Sequence, residues 1–328
     1  MSVGGGETAE GLAAALGRRL RERDLAAAPA ALNLIEDRSL AGRAAAAALL
    51  AEVSPAALGG EAPAHLVGVT GPPGAGKSSL LSELVSVWRA GGRTVAVLAV
   101  DPSSKRSGGS LLGDRARIDH DPADGGVLIR STATAGRLGG LAAPTRAAAQ
   151  ALASAFDVVV VETVGVGQSE TEVEELCDTV AVVVQPGSGD TLQFLKAGIM
   201  EVPDMLVVTK SDFGDVARHA RRDLEGALRS LGAGRTPVLA VSSLSPTQGI
   251  DELVAGIDAH RAELDVHSTR TRARRLAALS EFAAERGERG VRELGGRRAA
   301  ERMLAELDPA LEIPALVAAL ESPGRGGR

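Results

Sequence analysis

The chain has a single cysteine, Cys177, among its 328 residues. It can therefore close no disulfide within itself, which fits a reducing compartment, and a solitary thiol of this kind reads as a small core residue. Tyrosine is absent, and Trp88, Phe156, Phe194, Phe213 and Phe282 are the only aromatic side chains. So few rings exclude a stacking platform for single-stranded nucleic acid. They leave the core to Ala, Val, Leu and Ile. No apolar run reaches the roughly 18 residues that a membrane span requires. The opening MSVGGGETAEG has neither the basic start nor the apolar stretch of a secretory signal, so a cytoplasmic protein is expected. Positive charge is not in surplus either. A net charge of −6 argues against general adhesion to nucleic acid or to a membrane surface. Histidines 65, 120, 219, 260 and 267 have no metal-site spacing with one another or with Cys177.

What is present is an alternation. Short, continuously apolar runs occur at Leu66–Thr70, Thr94–Val100, Val127–Arg130, Asp157–Glu162, Thr179–Gln185, Met205–Thr209 and Pro237–Ser242. Strands of a parallel sheet, covered on both faces, read this way. Helical stretches separate them at Ser79–Ala90, Thr145–Ala155, Leu192–Met200 and Val216–Leu231, and Ile250–Leu264 follows the last run. The pattern predicts an α/β fold with a doubly wound, mostly parallel sheet over residues 61–265. Residues 1–60 form an Ala/Leu/Arg-rich helical prefix with a break at Pro29. Residues 266–328 form a charged C-terminal segment, with one or two helices over 270–306 and a flexible end at SPGRGGR. The cluster Arg270–Arg275 reads as a solvated helix face.

Gly71-Pro72-Pro73-Gly74-Ala75-Gly76-Lys77-Ser78 satisfies G-x-x-x-x-G-K-[ST], between an apolar strand and a helix beginning near Ser79. Glycines at 71, 74 and 76 let backbone N–H groups turn inward around a β-phosphate. The helix N-terminus adds partial positive charge. Lys77 is placed to bridge the β- and γ-phosphates, and the Ser78 hydroxyl to bind Mg²⁺. The motif specifies a nucleoside triphosphate but not its base.

Carboxylates at the C-terminal ends of parallel strands lie in the crevice where such ligands bind. Asp101 and Glu162 end two of the apolar runs and are candidates for the metal and for positioning water. Asp114 lies in the Gly/Ser-rich stretch SGGSLLGD and is a further metal candidate. Gly165 can donate its N–H to the γ-phosphate and move when that phosphate leaves. The next residue is Val166 rather than glutamine, and Gln168 stands two residues on, so slow intrinsic hydrolysis is expected.

The base is chosen further along. Thr209-Lys210-Ser211-Asp212 follows an apolar run and fits [NT]-K-x-D. Asp212 can accept both the N1–H and the exocyclic amine of guanine. Adenine lacks that donor pair, and a buried carboxylate there would be left unpaired. Lys210 can lie along the base plane, and Thr209 can steady the loop. Ser242-Ser243-Leu244 follows the last strand, where a backbone N–H can meet the guanine carbonyl. The order of phosphate loop, strand-end acids, T-K-x-D and S-S-L points to GTP and GDP with Mg²⁺.

With those residues in view, the chain resembles the MeaB/ArgK-type GTPases that accompany adenosylcobalamin-dependent acyl-CoA mutases such as methylmalonyl-CoA mutase. The stretches that carry the resemblance are ALNLIEDR (31–38), GVTGPPGAGKSSL (68–80), VLAVDPSSKRSGGSLLGDRARI (97–118), LGGLA (138–142), VVVVETVGVGQSE (158–170) and QPGSGDTLQFLKAGIMEVPDMLVVTKSD (185–212). The resemblance implies a signal-recognition/MinD-like P-loop fold and a homodimer joined partly through C-terminal helices. It implies a chaperone that gates cofactor loading into the mutase and protects it. It also implies that Asp101, Asp114 and Glu162 belong to the magnesium and switch region, and that Gln185–Gly198 is a mobile loop communicating with the mutase. The chain departs from the family at Thr209, where Asn is usual, and at Ser-Ser-Leu, where Ser-Ala is usual. Thr191 replaces a common acid and Arg137 a common His.

Three other classes of P-loop protein make demands that this sequence can be held against. A P-loop kinase needs a basic lid, which Lys105, Arg106, Arg115 and Arg117 could furnish, but T-K-S-D has no role there. A metal-delivery GTPase of similar fold needs paired His/Cys ligands. A DNA-binding partition ATPase is disfavoured by the acidic charge and by the guanine motif.

Overall fold

The computed structural model describes residues 8–101, 118–133, 143–163, 173–187 and 203–322, with the side chains of Asp101 and Ala133 excepted. Contacts divide the chain into two compact units. One is built from Ala64–Thr145 and Phe156–Leu264, the other from Met1–Pro63, Arg146–Ala155 and Asp265–Arg328.

The first unit is a seven-stranded sheet. Its strands are β1 His65–Thr70, β2 Val95–Asp101, β3 Val127–Ala133, β4 Val158–Thr163, β5 Thr179–Val184, β6 Met205–Val208 and β7 Val238–Ala240. They run in the order β3-β2-β4-β1-β5-β6-β7, and every pairing is parallel. This is the doubly wound α/β sheet expected from the apolar runs. β1 sits at the centre between β4 and β5, with Gly68 opposite Val161 on one side and Val180 on the other.

Alternate residues of the central strands share a face. Val67 and Val69, Val158 and Val160, Ala181 and Val183, and Met205 and Val207 form one core with helix Lys77–Ala90 and helix Ile250–Glu263. Leu80, Leu81, Leu84, Val85 and Trp88 recur at helical spacing and are all buried there. On the opposite face Gly68 makes room for its neighbours. A Cβ at this position would lie 2.3 Å from Val173 Cγ1 and 3.3 Å from the buried Cys177 Sγ. Beneath the sheet, Asp178 accepts a hydrogen bond from the Leu66 amide at 2.9 Å and pairs with Arg261.

In the second unit, helix Ala9–Arg21 packs on helix Leu40–Glu52. Gly17 permits this, since a Cβ there would meet the Leu49 carbonyl oxygen at 2.6 Å. Pro29 falls in the first turn of helix Ala28–Ile35, where its missing N–H is tolerated. Towards the C-terminus, helix Val266–Glu293 bends at Gly287 (φ 65°, ψ −177°). It shares a core with helices Arg297–Ala305 and Ile313–Glu321 through Leu279, Phe282, Leu304, Leu316 and Leu320.

Two expectations need correcting. Helix Ile313–Glu321 lies beyond the one or two helices foreseen, because its short Ile-Pro-Ala-Leu-Val run gains stability only from the neighbouring helices. The Arg270–Arg275 cluster is not simply a solvated face. Arg270 is buried and donates to the Ala62 carbonyl at 2.7 Å, and Arg274 makes two 2.8 Å bonds to Glu61. Those acceptors lie more than 200 residues away along the chain, where no local pattern can announce them. The expected helix Leu192–Met200 lies outside the described residues.

Candidate functional site

The predicted phosphate loop joins β1 to helix Lys77–Ala90. Gly71, Gly74 and Gly76 all have positive φ, at 142°, 76° and 91°. A Cβ on Gly71 would come within 2.2 Å of the Val183 carbonyl oxygen, whereas nothing lies within 4 Å of a Cβ on Gly74. The loop is thus pressed against β5 at one end and open at its crest. Pro73, Gly74 and Ser79 are exposed, Pro72, Gly76 and Ser78 half-buried, and Ala75 and Lys77 buried. Lys77 curls back under the loop, its Nζ donating to the carbonyls of Gly71 (2.7 Å) and Pro72 (3.2 Å). Its ammonium is therefore already directed into the turn.

Glu162 is buried near the C-terminal end of β4, level with Val69 of β1 and Ala99 of β2. Asp101 ends β2 beside Ala133, so both expected strand-end acids come from strands on the β4 side of the phosphate loop. Asp114, Gly165 and Gln168 lie outside the described residues, as does the segment 188–198. Two hydroxyls that sequence reasoning missed lie at the same strand ends. Thr70 Oγ1 and Thr163 Oγ1 are buried without a hydrogen-bond partner among the described residues. A buried hydroxyl without a partner is destabilising, so these two stand ready to bond to a group that the described residues do not supply. Only the positions of these threonines at the strand ends, directly before the phosphate loop and after Glu162, could have hinted at them.

The T-K-x-D segment starts directly after β6. Thr209 is buried, and its hydroxyl donates to the Ala75 carbonyl at 2.6 Å, with the Val184 carbonyl at 3.1 Å as a second acceptor. One side chain thus ties this segment to the phosphate loop 134 residues earlier. Lys210 has a left-handed backbone (φ 54°) and directs its Nζ to Gln185 Oε1 at 2.8 Å, with the Gly74 carbonyl at 3.4 Å. Asp212 is exposed rather than buried, and Ser242 Oγ donates to its Oδ1 at 2.8 Å. Ser242 in turn accepts from the Leu244 amide at 3.2 Å, and its backbone closes a two-bond bridge with Gln248. Ser243 is half-buried and Leu244 exposed in the same loop. The structure therefore brings T-K-x-D, S-S-L and the phosphate loop together, from three regions far apart in sequence.

The family described as methylmalonyl Co-A mutase-associated GTPase MeaB matches residues 28–292. The chain belongs to the MeaB family. It is a P-loop GTPase that binds guanine nucleotide. GTPase ArgK of Escherichia coli is 39% identical over 245 residues, covering 72% of this chain and 72% of that protein. The methylmalonic aciduria type A homolog, mitochondrial, of Caenorhabditis elegans is 44% identical over 160 residues, covering 47% of this chain and 39% of that protein. Among solved structures, a LAO/AO transport system kinase aligns over 98% of both chains, with a TM-score of 0.66 and 27% identity.

The donor set of this MeaB-family chain suits a nucleotide and a hard cation. The glycine turn is open where a phosphate would rest, and Ser78, Glu162, Thr70 and Thr163 offer only oxygen. No described helix is long and apolar enough to cross a membrane.

Proposed function

We propose that this protein is a GTP-driven chaperone and gatekeeper for an adenosylcobalamin-dependent acyl-CoA mutase of the methylmalonyl-CoA type, controlling cofactor loading and protecting the enzyme. The observation that supports this reading is the Thr209–Ala75 hydrogen bond, which ties the T-K-x-D segment to the phosphate loop. The mutase enters through the family's description as mutase-associated.

In this reading Lys77 and the amides of Gly71–Ser79 hold the phosphates. Asp212 reads the guanine edge, Lys210 lies along the base, and Ser242–Leu244 close over it. Magnesium would be held by Ser78 with Asp101, Asp114 and Glu162, where its charge would offset that building on the transferring phosphoryl group. Asp101 orients water, while Glu162 and Gly165 respond to the γ-phosphate. Loss of that phosphate releases the adjoining segments and alters the grip on the mutase. With Val166 where other GTPases carry glutamine, intrinsic turnover is slow and rises with the partner. The chain acts in the cytoplasm as a homodimer, with residues 1–60 as prefix, 61–265 as GTPase domain and 266–328 as the dimerisation arm. The kinase in the name of the aligned structure is disfavoured for this chain by Asp212 and its Ser242 clamp, which serve a guanine rather than an acceptor substrate.

Phosphate release from GTP and from ATP, with and without a purified adenosylcobalamin-dependent mutase, tests the proposal. GTP-only hydrolysis that accelerates with the mutase is expected. Indifference to every such mutase tried would remove the chaperone role, and a preference for ATP would overturn the base assignment.

A further inference from the structure

Gln185 is the first residue after β5, and Lys210 the second after β6, on the adjacent strand. The two strand ends are joined twice. Thr209 Oγ1 reaches the Val184 carbonyl, and one residue further on in both strands Lys210 Nζ reaches Gln185 Oε1 at 2.8 Å. The Gly74 carbonyl, at 3.4 Å, is at the limit of a hydrogen bond, so Gln185 is the nearer of the two acceptors. Lys210 also has a backbone conformation that costs a non-glycine residue roughly 1–2 kcal/mol. That turn sends its side chain back across the crest of the phosphate loop.

We propose that Gln185 is a positioning residue for guanine-nucleotide binding, holding the Lys210 ammonium in the place it takes beside the purine plane. The inference rests on the base reading at Lys210 and Asp212 and extends it to β5. A lysine ammonium rides on a flexible four-carbon stem, and fixing it at the moment of binding costs up to about 2 kcal/mol of rotamer entropy. An acceptor that orders it beforehand removes part of that cost from the binding step. A carboxamide suits the task. It accepts from the ammonium without adding negative charge near an anionic ligand, as a carboxylate would.

Three variants test this: Gln185→Met, which has similar length but no acceptor, Gln185→Glu, which keeps an acceptor, and Lys210→Met. The probe is GDP carrying a fluorescent N-methylanthraniloyl group on its ribose. Losing one net hydrogen bond corresponds to about a two- to tenfold rise in Kd for Gln185→Met. The KM for GTP should rise with it while kcat stays, because the contact is the same in ground and transition states. Gln185→Glu should recover only part of the loss, its acceptor restoring the lysine contact while its charge repels the anionic ligand, and Gln185→Met should add nothing in the Lys210→Met background. A wild-type Kd in Gln185→Met, or an equal loss with and without Lys210, overturns the proposal. Asp212→Asn is scored separately. If it fails to move preference from guanine toward xanthine nucleotides, the base reading itself fails. If it succeeds while Gln185→Met is silent, only the role of Gln185 is lost.

Discussion

Replacing Gly71 by alanine probes the contact that seats the phosphate loop. The new Cβ would lie 2.2 Å from the Val183 carbonyl oxygen and 3.1 Å from the carbonyl carbon. Relief to an ordinary separation of about 3.4 Å requires the loop to retreat by about 1.2 Å. β5 cannot yield instead, because Val182 is level with Thr70 of β1 and Val183 with Val207 of β6 in a continuous ladder. The loop must move, carrying the Gly71 carbonyl that holds Lys77 Nζ at 2.7 Å. The φ of 142° adds about 1–3 kcal/mol of backbone strain for a residue with a side chain. A misplacement of about 1 Å at a reacting centre costs about a hundredfold in rate, roughly 2.7 kcal/mol of transition-state stabilisation. Gly71→Ala should therefore lower kcat/KM for GTP by about two orders of magnitude while the sheet remains folded. Phosphate release, alongside circular dichroism and thermal melting, measures both. Folded Gly71→Ala with wild-type kcat/KM would refute the idea that contact with β5 positions the loop.

Two further predictions concern the foot of the sheet. Asp178 has a side chain only 1% exposed that serves both the Leu66 amide and Arg261, so Asp178→Ala should lower unfolding free energy by about 3–5 kcal/mol in a urea titration. A loss within experimental error would mean the pair is compensated elsewhere. The hydrogen bond to Asp204 raises the pKa of His260 against the opposing effect of burial, with Glu263 and Asp178 adding attraction. Its ring also meets Thr179 Oγ1 at 2.8 Å, which in turn meets His65 Nε2 at 2.8 Å. Because the folded pKa is raised, the stabilisation is complete below about pH 6.5 and is lost as pH climbs through the folded value. Urea midpoints across that window should fall with rising pH in the wild type and respond less in His260→Gln; identical slopes would exclude His260 as the source.

The seven strands were legible as apolar runs, and β1, β4, β5 and β6 are buried along their whole length, leaving no polar alternation there to confuse the pattern. The phosphate loop and T-K-S-D were legible because their chemistry is local, needing particular residue types at fixed spacing. Helix Ile313–Glu321 was not, since its stability comes from a core shared with Leu279 and Phe282. Nor were the partnerships of Arg270 and Arg274, which show only once their distant acceptors are at hand.

Taken alone, the amino-acid sequence determined the fold class, through seven apolar runs, and marked the nucleotide loop and the T-K-x-D segment, each written in a contiguous stretch. The tertiary structure decided the strand order, which puts β5 against β1 and so brings Val183 onto Gly71. It decided that Thr209 holds the phosphate loop, that Ser242 clamps Asp212, and that Gln185 receives Lys210. Those contacts span 134, 30 and 25 residues, and they form because parallel strands end on the same edge of one sheet, a proximity set by packing rather than by neighbours along the chain.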